Sequence, residues 1–291
     1  MKEKINKILE LIKIGKFNDA KIIGDSIKKD LEQNHEFLNI YGYILFRLEK
    51  NEDAIELYKK IIKIKPDYAF SFNNLGNIYS KLNKFEDAIK YFNQALKLKS
   101  DYFEASYGLS DVYYKIQNYD NALSYLNKSI QLKPGYLPPV KSKLHLLKVM
   151  KKKNDILKFL NDTIIQFPED AYFYNEKALV LSDLGKETEA INSYKSAYLI
   201  DPEYPFVLGQ IVLDKLLNGE WDKIENDCEE ILSKTENEKA VADPLIISYI
   251  FDSPSLLRKS AEISVNFRNL GLNKKYELTN LKKKEKINIG Y

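Results

Sequence analysis

The sequence predicts an all-α protein: a right-handed α-solenoid of about seven helix pairs, then two linker helices and a short unpaired strand-like tail. Three columns of residues predict it. Small or branched apolar residues recur at Ala20, Ala54, Ala88, Ala122, Ile156, Ala190 and Ile224, each 34 residues after the last. Proline recurs in one register at Pro66, Pro134, Pro168 and Pro202, with Ser100 in the intervening slot. An aromatic stands three residues before the small residue in Phe17, Phe85, Tyr119 and Trp221. A fixed period of this length marks a stack of supersecondary units.

The clearest copy is Asp67 to Lys99. Phe72, Leu75, Ile78, Tyr79 and Leu82 keep helical spacing. After Asn83-Lys84 a second set follows at Phe85, Ala88, Ile89, Phe92, Ala95 and Leu96. These are two amphipathic helices joined by a polar turn. Ala88 falls where they cross, and a small side chain there lets the axes approach to about 8–10 Å. Proline after the second helix stops it and suits the start of the next. Such a pair cannot bury both faces alone, so it must stack on neighbours.

The other units follow in order. Residues 1–31 pair Ile5, Ile8, Leu9 and Ile12 with Ala20, Ile23 and Ile27 across the turn Gly15-Lys16; a lysine-rich outer face suits a terminal cap. Residues 35–65 contain Leu38, Tyr41-Gly42, Leu45, Ala54, Tyr58 and Ile61, and residues 102–133 keep Leu109, Tyr113, Ala122 and Leu126 with Ser110 in the glycine slot. Residues 136–167 are degenerate: Pro138-Pro139 open the first helix, Lys153 replaces the aromatic and Ile156 the alanine, so a displaced or shortened helix is expected. Residues 170–201 recover the pattern with Tyr174, Ala178, Gly185, Ala190 and Tyr194. The first helix of 204–235, with Phe206, Val207, Leu208, Ile211, Val212, Leu213, Leu216 and Leu217, is apolar nearly all round and must be covered on both sides. The expected division is a solenoid over 1–235, a helical linker over 236–270 with helices at Ala240–Phe251 and Ser255–Asn269, and a basic tail over 271–291. The closing Ile287, Ile289 and Tyr291 alternate like a strand.

The repeat motif resembles the tetratricopeptide repeat, through Phe72, Leu75-Gly76, Tyr79, Ala88, Phe92, Ala95 and Ser100 in the proline slot. The resemblance covers roughly 235 of the 291 residues and implies a binding scaffold without naming what is bound. A second resemblance lies near the end. Asn218 to Ile224, Ala242-Asp-Pro244-Leu-Ile and Asp252-Ser-Pro254 with Leu256, Leu257 and Ala261 are similar to the junction between repeats and catalytic domain in O-linked N-acetylglucosamine transferases. Lys286 to Tyr291 resembles that domain's first strand.

The second resemblance implies the acceptor-recruiting arm of an enzyme that transfers N-acetylglucosamine from its UDP donor to protein Ser or Thr. The chain stops after the strand, so no catalytic residue carries over and the chain alone is expected to perform no catalysis. That family lines its repeats with an asparagine ladder. Only Asn74 matches here, the column otherwise reading Ile40, Gly108, Ser142, Glu176 and Gln210. The alternative is a free-standing adaptor, which would end in a polar capping helix.

Composition narrows the classes. Lys+Arg 45 against Asp+Glu 42 leaves a net charge of +3 and no electrostatic case for nucleic acid. Cys228 is the single cysteine, so there is no internal disulfide, and its apolar helical setting suggests a buried thiol. The N-terminus has charges every few residues rather than a signal peptide's apolar run, and Pro244 to Phe251 falls short of the ~20 residues of a membrane span. A cytoplasmic protein is expected, with no membrane partner. His35 and His145 lack neighbours at ligand spacing, and no phosphate loop or hydrolase elbow is present, so no metal, cofactor or catalytic residue is expected. Lys151-Lys-Lys153 and Lys282-Lys-Lys284 read as solvated segments, and Trp221 as packing.

The candidate site is therefore the inner face of the first helices, expected to be a concave groove for a protein or extended peptide. Helix position gives Asn39, Tyr43, Phe46, Arg47, Asn73, Asn77, Lys81, Tyr107, Asp111, Tyr114, Lys115, Lys141, His145 and Lys148, together with Asn74 from the ladder column. Amides can hydrogen-bond an extended backbone, and tyrosines give amphipathic contact area at small entropic cost.

Overall fold

The computed structural model describes residues 2–220 and 224–269. Among them all regular structure is helical, in sixteen helices. Trp221 and the strand-like 287–291 lie outside the described residues. The chain forms two compact units, one up to Ile156 and one from Leu157.

In the first unit α1 (Lys2–Lys13) pairs with α2 (Phe17–Ile27), α3 (His35–Arg47) with α4 (Asn51–Ile64), α5 (Ala69–Lys81) with α6 (Phe85–Leu98) and α7 (Phe103–Lys115) with α8 (Tyr119–Leu132). Then α9 (Leu137–Val149) packs on α8, and α10 (Lys153–Gln166) crosses the division between units. The first helices begin at 35, 69, 103 and 137 and the second at 51, 85, 119 and 153, so the 34-residue register of the sequence is the register of the helices. Ala20, Ala54, Ala88 and Ala122 are fully buried at the crossings.

The expected displacement or shortening of the helix after Pro138-Pro139 is not found. α9 starts in register and has 13 residues, as α3, α5 and α7 do. Both prolines fall in its first turn, where the N–H groups they lack have no intrahelical partner.

A single device ends the first helices. A left-handed residue follows the C-cap at Glu49, Asn83, Gln117, Lys151 and Gly219, and lies one residue further on at Gly185, again every 34 residues. In each case the next N–H reaches back to a carbonyl five residues earlier, as Lys84 does to Tyr79 at 2.9 Å and Asn118 to Tyr113 at 2.8 Å. This closes the orphan carbonyls and turns the chain straight into the second helix.

In the second unit α11 (Ala171–Ser182) pairs with α12 (Glu187–Ile200), followed by α13 (Val207–Leu217), α14 (Glu225–Glu236), α15 (Pro244–Ile250) and α16 (Pro254–Asn269). α13 is covered on two sides, as its composition demands. Val207 and Ile211 pack on Tyr194 and Ala197, while Leu208, Val212 and Leu216 pack on Ile231, Val241, Ile246, Ile247 and Leu256. The cover is the chain's own α14–α16, not an outside neighbour.

Two expected boundaries are corrected here. α13 begins at Val207, after Phe206 takes a left-handed φ of 64°. The helix expected from Ala240 begins only at Pro244. Residues 240–242 instead bond the start of α13: Phe206 N–H donates to the Ala240 carbonyl at 2.7 Å and Gly209 N–H to the Val241 carbonyl at 3.0 Å. At Ser253-Pro254 the hydroxyl of Ser253 accepts from Leu256 N–H at 3.3 Å, capping α16.

Candidate functional site

In the first unit α3 packs on α5 and α5 on α7, which brings their polar positions into one face. The row begins with Arg47, which donates to the Tyr43 hydroxyl at 2.8 Å and lies 4.3 Å above the Phe17 ring. Asn74 Nδ2 donates to Asn39 Oδ1 at 2.9 Å, joining α5 to α3. Lys81 bonds Glu49 at 3.1 Å and sits over Phe46. Lys115 reaches Ser80 at 3.1 Å while paired with Asp111 at 2.8 Å, joining α7 to α5. The Tyr107 hydroxyl meets Ser142 Oγ at 3.0 Å and the Tyr114 hydroxyl meets His145 Nε2 at 2.9 Å, joining α9 to α7. These links span 31–35 residues in sequence, the repeat length.

Between α7 and α9 the row contains a pocket of about 350 Å³, lined by Tyr107, Ser110, Asp111, Tyr114, Lys141, Ser142 and His145 over a floor of Leu126 and Leu146. The floor has a cause in the repeat. Position 126 belongs to a column filled by rings at Tyr58 and Phe92. Phe92 is fully buried and lies where a Cβ on Gly76 would be, its nearest ring atom only 2.7 Å from that point, and it blocks a Cβ on Gly108 as well. The next copy has Ser110 and Ser142 in the glycine slots and a leucine in the ring slot, and the shorter side chain leaves the recess.

The structure separates the sequence candidates. Asn39, Tyr43, Phe46, Asn74, Asn77, Tyr107, Tyr114 and Lys141 are half-buried, while Arg47, Lys81, Asp111, Lys115, His145 and Lys148 are exposed. Asn73 is buried at 5 % exposure, and its Oδ1 has no hydrogen-bond partner. The reason is register: residues 39 and 107 bond the side chains at 74 and 142, but the counterpart of 73 is Gly108, which has none. Ser80 was not named from the sequence, Ser142 stood there only as a departure from the asparagine column, and Leu126 only as part of the repeat pattern. The signal for the last was the loss of the ring from an aromatic column.

Cys228 is half-buried against the core of the second unit, and burial pushes its thiol up, so it stays protonated. His35 packs edge-on to Tyr68 at 4.9 Å. Among the described residues no cluster of His, Cys, Asp and Glu is placed to hold a metal, and no helix is long and apolar enough to cross a membrane.

Repeated helix pairs in one register, presenting side chains of successive first helices on a common face, define a helical-repeat scaffold. Family models place it more narrowly: the tetratricopeptide repeat matches residues 69–102, 103–136 and 171–204, and a TPR model matches 42–83. Tetratricopeptide repeats are thus matched over 42–136 and 171–204. Among solved structures, a tetratricopeptide repeat protein from Parabacteroides merdae is 18 % identical, with 91 % of this chain and 98 % of that one covered and a TM-score of 0.51. A structure from the functional characterisation of Pseudomonas aeruginosa pilF is 14 % identical, with 69 % and 91 % covered and a TM-score of 0.56. YrrB, described as a TPR protein with an unusual peptide-binding site, is 17 % identical, with 62 % and 93 % covered and a TM-score of 0.48. At these identities the likeness is one of fold. No curated protein matches the chain.

Proposed function

We propose that the chain is a protein-binding scaffold whose first unit holds an extended segment of a partner along the first-helix face, from Tyr43 to His145, as a concave groove. The observation that carries the reading is the cross-repeat row. Hydroxyls, amides and cations of four successive first helices stand side by side with helical supports fixed behind them, which suits capture of an extended backbone. Amides and hydroxyls can exchange their mutual bonds for bonds to a peptide at little net cost.

The test replaces Tyr43, Asn77, Tyr107 and Tyr114 together with alanine in the full chain. None is in the buried core, so the helical signal and melting temperature should hold. Affinity for peptides selected on the wild-type protein should fall by at least about tenfold, roughly 1.4 kcal/mol; unaltered affinity removes the groove.

The narrower reading, an acceptor-recruiting arm of an O-linked N-acetylglucosamine transferase-like enzyme, is supported by the order of the segments at Ala242-Asp-Pro244 and Asp252-Ser-Pro254, which open α15 and α16. Its argument from an uncovered apolar helix is met within the chain by the cover on α13, and the free-standing adaptor fits that cover equally well. Reading the coding DNA past the codon for Tyr291 tests it. A frame continuing into a Ser-x-Asp-Phe-like stretch and an α/β pattern supports the arm, and an immediate stop drops it.

A further inference from the structure

The loops that join one repeat to the next in the first unit form a second periodic surface, which shares no residue with the polar row. Lys65 caps the C-terminus of α4, Lys99 that of α6 and Lys133 that of α8, where the terminal carbonyls favour a cation. Each lysine also lies over a ring: Lys65 Nζ is 5.7 Å from the centroid of Tyr68, Lys99 5.2 Å from Tyr102 and Lys133 4.3 Å from Phe103. The rings touch in series. Tyr68 meets Phe70 at 5.2 Å, Phe70 meets Tyr102 at 5.4 Å and Phe103 meets Tyr136 at 5.3 Å. Together they make one stripe along the loop edge from Lys65 to Tyr136. In the second unit the lysine column reads Phe167 and Asp201, so the stripe belongs to the first.

Apolar groups and charges are both left open on it. Ile64, Leu98 and Leu132, each the residue before the lysine, are 36 %, 38 % and 37 % exposed, and Phe70 is 42 % exposed. Single exposed apolar side chains are ordinary, but these recur once per repeat on one edge. Lys65, Lys99 and Lys133 make no ion pair among the described residues, and neither do the exposed Asp67 and Asp101. Lys81 and Lys115 on the first helices, by contrast, are paired with Glu49 and Asp111. Glu36 beside Tyr68 and Glu104 beside Tyr102 bring further carboxylates. The charges of the stripe alternate in sign and nearly cancel, which argues against a strongly charged partner and suits a surface of the same pattern.

We propose that this edge is a self-association surface, on which two copies of the chain lie antiparallel about a twofold axis at the junction of α6 and α7. In such a contact residue i faces j and j faces i. With the axis between Lys99 and Asp101, Lys99 faces the second copy's Asp101. The repeat length is the same in both copies, so Lys133 falls opposite the second copy's Asp67, and four ion pairs close. Lys65 falls opposite Gly135 and keeps only its ring. Leu98 and Phe70 are covered near the axis. The lysines and rings are ordered before association, which lowers its entropic cost. About ten side chains per copy is at the small end of specific interfaces, so dimerisation is expected on the order of tens of micromolar. The proposal is independent of the groove reading.

Sedimentation velocity of the full chain from about 5 to about 500 µM tests it, the mass rising from 33.9 kDa toward twice that value and no further. Lys99→Asp leaves two carboxylates at the central pair of each copy, and Asp101→Lys leaves two cations. Each alone should weaken dimerisation by at least about tenfold. Mixed one to one, the two variants set opposite charges across the axis again and should form a heterodimer of wild-type strength. Both positions are exposed, so the helical signal should hold. If Lys99→Asp melts early through loss of its ring contacts, Asp67→Lys with Asp101→Lys stands in, because it leaves every lysine over its ring and should abolish the dimer. A chain that stays monomeric to about 500 µM overturns the proposal, as does growth beyond a dimer. So do single variants that dimerise undiminished, and a mixture of well-folded variants that fails to recover.

Discussion

The first helices α5 and α13 occupy the same place in the repeat and meet opposite fates. In α5 the columns that make up the polar row hold Asn73, Asn77 and Lys81; four repeats on, they hold Gly209, Leu213 and Leu217. The face of α5 is left open to make bonds across repeats. At α13 the chain's own residues 240–242 lie in that place, bonded to Phe206 and Gly209. A Cβ at Gly209 would stand 2.8 Å from the backbone Cα of Ala242, so glycine is what allows the approach. The same scaffold position stays an open polar face in α5 and, where it holds Gly209 in α13, becomes an internal junction.

The largest effect should come from opening the junction. Ile247→Ala removes a fully buried side chain that packs against α13 and should cost about 2–5 kcal/mol in urea unfolding. Asn77→Ala, on the open face, should stay within about 0.5 kcal/mol of wild type. Equal losses would mean that the two faces do not differ as described. Gly209→Ala follows at about 1–3 kcal/mol, because the neighbour it meets is backbone and cannot rotate away. A neutral result by thermal melting would show that 240–242 yields without cost.

The contrast was partly legible in the sequence. The period, the alanine crossings and the need to cover 204–217 could all be read, since each depends on residue type at a fixed spacing. What covers α13 could not, because Ala240 to Phe251 is apolar enough for one continuous helix, and only the bonds from Phe206 and Gly209 explain why 240–242 leaves it. The prolines of α9 read as damage to a helix that in fact keeps its register. In the site, helix position was enough to list the polar side chains of the first helices, but not to see that Asn73 is buried, because that depends on the absent side chain of Gly108. The recess over Leu126 follows from a comparison of columns, Tyr58 and Phe92 against Leu126, in which a leucine passes for an ordinary core residue.

Alkaline titration sharpens the buried side of the comparison. Tyr194 packs under α13, and burial, then the charges of Glu187, Asp183 and Glu176, push its hydroxyl up to about 12. Burial, then Glu176 and Asp170, push Tyr172 up to about 12 as well. Tyrosine in the unfolded chain titrates near pH ~10. A folded pKa above the unfolded one means that the stability these groups contribute is intact below pH ~10 and is lost as pH rises toward about 12. Helix loss followed by circular dichroism should therefore coincide with the late part of tyrosinate absorbance over that window. Ionisation of all 21 tyrosines near pH ~10 with the helices intact would contradict the burial described.

The smallest effect tests the turn that repeats through both units. Gly185 and Gly219 hold the left-handed position with no side-chain penalty, whereas Glu49, Gln117 and Lys151 hold it with one. A left-handed non-glycine residue costs about 1–2 kcal/mol, and glycine returns part of that by gaining freedom in the unfolded chain. Gln117 is exposed, and its backbone N–H bonds the Tyr114 carbonyl at 2.9 Å whatever its side chain. Gln117→Gly should therefore raise stability by about 0.5–1 kcal/mol in urea unfolding. The corresponding Gly185→Ala should lower it by a similar amount, because nothing crowds that position and only its φ of 70° opposes a side chain. If both substitutions were neutral, the turn would be set by the packing of the helices it joins. Opposite signs would instead show that the backbone conformation at this column limits the stability of each repeat, independently of whether its first helix presents an open polar face or packs on the chain itself.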